Sequence, residues 1–356
     1  MRAAVMRDRR IVVDEIAAPV PGPGEVLVRT LACGICGSDL HTLKHAHALV
    51  EGSRNSGGSF EMDLSRDIVM GHEFCAEILT PASSRFRAGD RVVSVPLLLR
   101  DGRALTVGYS DLVPGGYAEQ MVLQEDLLIP VPNGLASDLA ALTEPMAVGR
   151  HAVVMSRITP AEVPLVIGCG PVGLAVIQSL KALGMGPVIA ADFSPARRAK
   201  AELLGADIVI DPATESPYAS WADLAGRDAS GAELPPNPLT GRKLYRNGVY
   251  FECVGVPGVI GAMMQGAERG SRIVVVGVCM ESDVIEPLVG INKELNLQFV
   301  LGYTGEEFAE TLQDISEGKL DVAPMITGKV DIAGVPRAFE DLADPEKHAK
   351  ILVKPA

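Results

Sequence analysis

Residues 165–173 read Leu-Val-Ile-Gly-Cys-Gly-Pro-Val-Gly and run straight into an apolar stretch, 174–180. A short apolar strand, a G-x-G-x-x-G turn and an apolar helix, in that order, leave few folds open. The first glycine permits the tight turn, and the second lets the backbone approach a pyrophosphate. The third allows close helix–strand packing, and the helix N-terminus favours the phosphate charge. Three glycines alone are weak evidence, so the surroundings matter. A second strand-like run at 188–191 ends in Asp192, which lies 192 − 173 = 19 positions past Gly173. That agrees with the roughly 20-residue spacing to a ribose-binding carboxylate. Asp192 also reads as a turn residue, but Ser194 is the natural helix cap and Pro195 the first helical position. Both readings hold together. A carboxylate there repels a 2′-phosphate, so NAD is expected rather than NADP. Arg197 and Arg198 argue the other way only if they face the ribose, and they are read as the solvated face of the next helix.

Around this motif, the runs 165–167, 187–191, 207–210, 248–251 and 272–276 look like buried parallel strands. Helical stretches such as 172–183 and 195–204 intervene, which is the doubly wound α/β pattern. Before about residue 145 the chain has another character. Short β-type runs at 25–29, 90–95 and 117–123 alternate with Gly/Pro turns, as expected of an antiparallel, barrel-like domain. After about residue 290 mixed short elements return. The expected organisation is a mainly β domain of residues 1–145 plus 291–356, split by an α/β domain of 146–290. Residues 51–60 are Gly/Ser-rich and expected to be a mobile loop, and 211–246 has no sustained helical or strand period.

A length of 356 residues suits two domains, and 47% hydrophobic residues rule out wholesale disorder. A net charge of −13 and 4% aromatics argue against a nucleic-acid partner. The N-terminus lacks a secretory signal, and no apolar run approaches the roughly 20 residues that span a bilayer. Six cysteines in a chain this long are no disulfide scaffold. A cytoplasmic protein with reduced thiols, without a membrane partner, is the simplest expectation.

One cysteine pair is placed for chemistry. Residues 33–41 read Cys-Gly-Ile-Cys-Gly-Ser-Asp-Leu-His, and no second Cys/His pair follows at the spacing of a structural zinc site. A redox pair would need a βαβ context that this region lacks. A third option, beside these two, is that one thiolate joins distant ligands in a catalytic zinc site. Candidates are His72 and Glu73, which are not part of an H-E-x-x-H helix because position 76 is Ala, and Glu144 before Pro145. Each alone has an ordinary structural explanation.

Together, the order G-x-C-G-S-D-x-x-H, then G-H-E, T-E-P and G-x-G-x-x-G-L, resembles the zinc-dependent medium-chain dehydrogenase/reductase family. The resemblance extends over nearly the whole chain, including residues 115–119, 251–255 and 350–354. It implies a Rossmann doubly wound parallel sheet inserted in a GroES-like, mainly β, barrel-like catalytic domain. It makes Cys36 and His72 zinc ligands, with Glu73 or Glu144 as the third, and Cys33 a packing residue. Asp39 would orient His72. Ser38 would accept the substrate proton and pass it through cofactor hydroxyls to His41, while His45 and His47 fall outside the motif. Gly168, Gly170, Pro171, Val172, Gly173, Asp192 and Gly277 are the candidate cofactor-binding residues. Two carboxylates with one thiolate would leave a zinc centre at −1, so one Glu is expected to bind and the other to stand behind or exchange with it. The family's four-cysteine zinc lobe would lie near 88–116, which has no cysteine. One catalytic zinc per chain and no structural zinc is therefore expected, with Cys75, Cys169, Cys253 and Cys279 in the core.

The implied activity is hydride transfer between NAD and a secondary alcohol or polyol, giving a ketone, in a homo-oligomer (dimer or tetramer). Two alternatives are a zinc-free quinone-reductase-like enzyme, against which Cys36 and His72 count, and a non-catalytic NAD-sensing protein on the same fold. Finally, Cys36 and His72 are 72 − 36 = 36 positions apart, longer than the family's usual separation. Residues 45–66 are either a partial lid, with Phe60, Met62 and Leu64 facing the alcohol, or a surface excursion.

Overall fold

The computed structural model describes all residues except Asp101, Ala229 and Ala356. The chain divides into one unit of Met1–Pro145 with Thr304–Ala356 and a second of Met146–Tyr303. In the second unit six parallel strands lie in the order Ile208–Ile210, Ile189–Ala191, Val163–Ile167, Gly248–Glu252, Arg272–Val275, Asn296–Phe299. Numbered along the chain this is 3-2-1-4-5-6, the doubly wound dinucleotide-binding order. The middle strands are buried throughout, which is why they read as continuous apolar runs and not as alternating ones. The helices Pro171–Ala182 and Pro195–Leu203 follow the first two strands, each with proline at its first turn.

The sixth strand corrects the expected boundary at 290. Asn296–Phe299 pairs in parallel with Arg272–Val275, so residues 291–303 belong to the α/β unit. Its sequence, Asn-Leu-Gln-Phe, is half polar because it is an edge, and that hid it. The segment 211–246 also holds a helix, Pro217–Ala225, capped by Ser216 with proline at its first turn. Trp221 fixes it by donating from Nε1 to Val163 O at 3.1 Å.

The first unit carries a seven-stranded sheet. Its path is Ile326–Val330, Lys350–Val353, Glu25–Gly34, Glu73–Thr80, Arg91–Ser94, Leu128–Pro130, with Gln120–Gln124 also paired to Glu25–Gly34. All pairs are antiparallel except the first, which is parallel. Glu25–Gly34 is ten residues long and contacts three strands, so it is the axis around which the unit packs. The expected mobile loop at 51–60 is corrected. The helix Gly37–Ser56 runs through Gly52 and ends at Gly57 in the left-handed conformation. Leu40, Leu43, Leu49 and Val50 pack on the core of this unit, and that burial outweighs the low helix propensity of Gly52, Ser53 and Asn55.

Candidate metal centre and dinucleotide turn

The first ligand candidate sits where the axial strand ends. Cys36 precedes the helix Gly37–Ser56 with extended backbone, φ −87° and ψ 152°. Its N–H donates to Asp39 Oδ2 at 3.1 Å, so Asp39 closes the helix start from within the first turn. The strand Glu73–Thr80 pairs antiparallel with Glu25–Gly34, with Glu73 opposite Gly34. That register brings His72 and Glu73 beside Cys36. Ligand-capable atoms of Cys36, His72 and Glu73 all lie within 4.8 Å of one another. Thiolate, imidazole and carboxylate at this separation fit a tetrahedral zinc ion with its fourth position open.

Asp39 is fully buried, and its Oδ1 lies 3.5 Å from His72 Nδ1, which leaves Nε2 for the cluster. Tyr117 donates to Asp39 Oδ2 at 2.5 Å and reaches Gly34 O at 3.3 Å. Burial disfavours the charge on Asp39, but His72, Tyr117 and the Cys36 amide outweigh it and hold the carboxyl below its usual value. Burial likewise opposes a charged His72, yet the Asp39 carboxylate and the Cys36 contact raise it well above its ordinary value.

Two residues at this centre were missed from sequence. Lys350 is fully buried, with Nζ 2.7 Å from both Glu73 oxygens and 3.1 Å from Ile35 O. Its strand pairs with Glu25–Gly34 on the side opposite Glu73–Thr80, so residues 277 positions apart meet. A Cβ on Gly34 would lie 1.9 Å from Glu73 Oε2, so glycine is required where the carboxylate crosses the strand. Burial would lower the Lys350 pKa, but Glu73, then Cys36, and also Glu144 raise it. A lysine opening the apolar run Ile351-Leu-Val was the available signal. Glu144, nearly buried in the first turn of Thr143–Ser156, is close enough to act on Lys350 but lies outside the three-residue cluster.

The second missed residue is Tyr109. Ser38 and His41 lie one turn apart on the same helix, both half-buried. Ser38 Oγ is 2.7 Å from Tyr109 Oη. Tyr109 also packs on His72 at 5.1 Å and on Phe60 at 5.2 Å between ring centroids. His45 marks a kink in the helix and His47 is exposed. Phe60, Met62 and Leu64 do not share an open face as a lid would require. Met62 belongs to the core of the unit, and Phe60 and Leu64 pack against it. Phe60 alone reaches toward the cluster, through Tyr109.

In the α/β unit, Gly168 has φ +94°, Gly170 is the helix N-cap, and Pro171 and Val172 open the first turn. A Cβ on Gly173 would lie 1.9 Å from Gly168 O, which is the close packing expected of the third glycine. Asp192 follows its strand and accepts from Cys169 N and from Ser194 N, both at 2.8 Å. Ser194 Oγ caps the next helix by accepting from Arg197 N at 3.1 Å. The expected solvated face for Arg197 and Arg198 is corrected. Arg197 lies 3.9 Å from Asp192 Oδ2. Arg198 donates to Asp192 O and Phe193 O and pairs with Asp211 at 3.0 Å. Both fold back toward the carbonyls and carboxylates that the tight turn presents to them. Gly277 N donates to Glu252 O at 2.9 Å, tying two strand ends together.

The remaining thiols stay protonated where they are buried. Burial pushes Cys75 up to about 11 and Cys169 up to about 12. Burial, then the Glu73 and Asp39 charges, raise Cys33 well above its usual value. Cys253 and Cys279 are only half-buried, which corrects their expected place in the core, because both sit on turns after strands. In the cysteine-free region, the strands Leu97–Arg100 and Arg103–Thr106 form a hairpin, and Arg100 grips the nearly buried Glu25 at 2.9 and 2.5 Å.

Comparison with known proteins agrees with this geometry. Residues 22–133 match the alcohol dehydrogenase GroES-like domain, and residues 171–317 match the zinc-binding dehydrogenase family. The chain is 30% identical to the (R,R)-butanediol dehydrogenase of Bacillus subtilis (strain 168), covering 100% of both. It is 25% identical to the sorbitol dehydrogenase of the same organism, covering 100% of this chain and 97% of that one. The crystal structure of 2R,3R-butanediol dehydrogenase from Bacillus subtilis superposes with a TM-score of 0.81 at 28% identity, covering 100% and 99% of the two chains.

Proposed function

This chain belongs to the zinc-dependent medium-chain alcohol dehydrogenases, and on that premise we propose an NAD-dependent dehydrogenase of secondary diols with one catalytic zinc per chain. The broad activity follows from the family: a zinc-dependent oxidoreductase of alcohols or polyols using a nicotinamide cofactor. The finer reading rests above all on the Cys36, His72 and Glu73 cluster. Cys36, His72 and one carboxylate, Glu73 or Glu144, hold the metal. When bound, zinc supplies a Lewis acid that makes a substrate hydroxyl easier to deprotonate. Ser38 accepts that proton and His41 carries it on, while Asp39 fixes the imidazole. Lys350 answers the expected problem of excess negative charge. With its ammonium beside Glu73, a thiolate and two carboxylates are balanced by the dication and the lysine together.

Gly168, Gly170, Pro171, Val172 and Gly173 seat the pyrophosphate, with Gly277 beyond a neighbouring strand. Asp192 receives the ribose hydroxyls and disfavours a 2′-phosphate. Short vicinal diols are the proposed substrates, supported by the two butanediol dehydrogenases among the relatives and by the Phe60 and Tyr109 rings packed beside His72. The absence of a second zinc is proposed because residues 88–116 carry no cysteine. A homo-oligomer is proposed from the edge of the parallel sheet, where Leu288, Ile291, Phe299 and Leu301 are each more than 60% exposed. Among the described residues no helix is long and apolar enough to cross a membrane, and the free cysteines suit the cytoplasm.

Metal analysis and a panel of alcohols, diols and polyols with NAD and NADP test this reading. One zinc per chain and the highest kcat/KM on a diol with NAD are expected. Two zincs per chain, or activity confined to primary alcohols, would contradict it.

A further inference from the structure

The Ser38–Tyr109 contact has no part in the reading above, and its geometry is specific. Tyr109 is 4% exposed, and its hydroxyl lies 2.7 Å from Ser38 Oγ, with the Asp39 carboxylate also nearby. The ring packs at a tilt against His72 and edge-on against Phe60. Its backbone is held as well: Tyr109 N donates to Thr106 O at 2.9 Å, and Gly108 packs against the Gly71 backbone next to His72. A phenol fixed so firmly has little freedom to turn its hydroxyl elsewhere.

A buried phenol must place its proton somewhere, since an unmade hydrogen bond there is costly. A phenol hydroxyl carries one proton to donate, and Ser38 Oγ is within reach of it. Ser38 has one proton and two lone pairs. Once Tyr109 donates to Ser38, one lone pair remains to accept from an alcohol, and the single Ser38 proton must point to a third group. His41, one turn on along the same helix, is the group that would receive it.

We propose that Tyr109 is the positioning residue for proton transfer: its hydroxyl donates to Ser38 and so sets which way Ser38 accepts and which way it gives. The inference rests on Ser38 being the proton acceptor. In the oxidation direction the substrate O–H bond breaks as Ser38 takes that proton and releases its own toward His41. The hydride leaves the carbinol carbon for NAD⁺, so alcohol and NAD⁺ become ketone, NADH and one proton.

The test is Tyr109→Phe, which keeps the ring packing and removes only the hydroxyl. The expected result is a fall in kcat of roughly 10-fold, the worth of one buried hydrogen bond felt in the transition state. KM for the diol and the dissociation constant for NAD should stay within about twofold, and the solvent deuterium isotope effect on kcat should rise. On a Ser38→Ala background the same change should cost nothing further. An unchanged kcat for Tyr109→Phe overturns the proposal, and so does a full additional loss on the Ser38→Ala background, because Tyr109 would then act through packing. Full kcat in Ser38→Ala alone overturns the proton-acceptor role itself, a failure of the underlying reading that the single variant separates from the other outcomes.

Discussion

Around Gly168 the proposed cofactor site is made of backbone amides and one carboxylate, nearly all within residues 168–194, with Gly277 added from a later strand end. Around Cys36 they are side chains drawn from two strands and a helix start, with Glu73 and Lys350 meeting across 277 positions. The first arrangement is made by a turn and survives wherever the turn forms. The second exists only when the Glu25–Gly34 strand is flanked by both neighbours in register. A backbone-built site should therefore respond to substitution in graded steps, and a side-chain-built site in large ones.

The sharpest way to break that contrast is Cys36→Ser. Zinc and dehydrogenase activity are expected to disappear together, by metal analysis and NADH absorbance, while NAD still binds as in the parent. Loss of NAD binding in that variant would mean that the two regions are not separable.

Next comes Lys350→Met. It leaves the Glu73 carboxylate buried and uncompensated, which typically costs about 3–5 kcal/mol. Denaturant unfolding should show that loss in the metal-free protein. Glu73→Leu combined with Lys350→Met should recover most of it, since removing both charges avoids the uncompensated one. A loss confined to about 1 kcal/mol would show that water reaches this pair.

Asp192→Ser probes the other region and should act more gently. If Asp192 accepts from the ribose hydroxyls as proposed, its removal lowers kcat/KM with NAD by about 10–100-fold and narrows the gap to NADP. Because Asp192 also ties Cys169 N to Ser194 N, a loss of about 1 kcal/mol in stability should accompany it. Arg197, 3.9 Å away, would then be free to meet a 2′-phosphate. A parent enzyme that already prefers NADP would reverse this assignment.

The smallest effect concerns the hairpin clasp. Burial opposes ionisation of Glu25, but Arg100 and the Gly22 amide prevail and hold it below its unfolded value of about 4.5. A lowered folded pKa adds stability above pH 4.5 and loses it as pH falls through the folded value. Thermal unfolding of the parent should therefore decline on acidification below about pH 4.5. In Arg100→Met the buried carboxyl prefers to be neutral, so stability should instead decline as pH rises from about 4 to 6. Parallel profiles would remove the clasp from the account of this hairpin.

The two regions also differed in how far they were legible beforehand. The three glycines, Asp192 and the Ser194–Pro195 helix start were placed from the sequence, because each acts on a backbone a few residues away. Cys36, His72 and Glu73 were picked out by their order along the chain, and the structure brings their ligand atoms together. Tyr109 and Lys350 gave no comparable signal. One sits in an irregular segment and the other in a strand that reads as apolar. The helix through Gly52 and the edge strand Asn296–Phe299 were misread for a related reason: packing and edge position, not propensity, decided them.

By itself, then, the sequence determined the alternation of strand and helix, the tight glycine turn and the set of residue types able to hold zinc. These depend on local sterics and hydrophobic period, which act over a few residues. The tertiary structure alone decided that Lys350 offsets Glu73, that Tyr109 meets Ser38, and that Arg197 and Arg198 turn back on Asp192. Those pairings are set by strand register and burial. A charge or hydroxyl taken out of water must find whichever partner the packing brings within reach, however far away it lies in the chain.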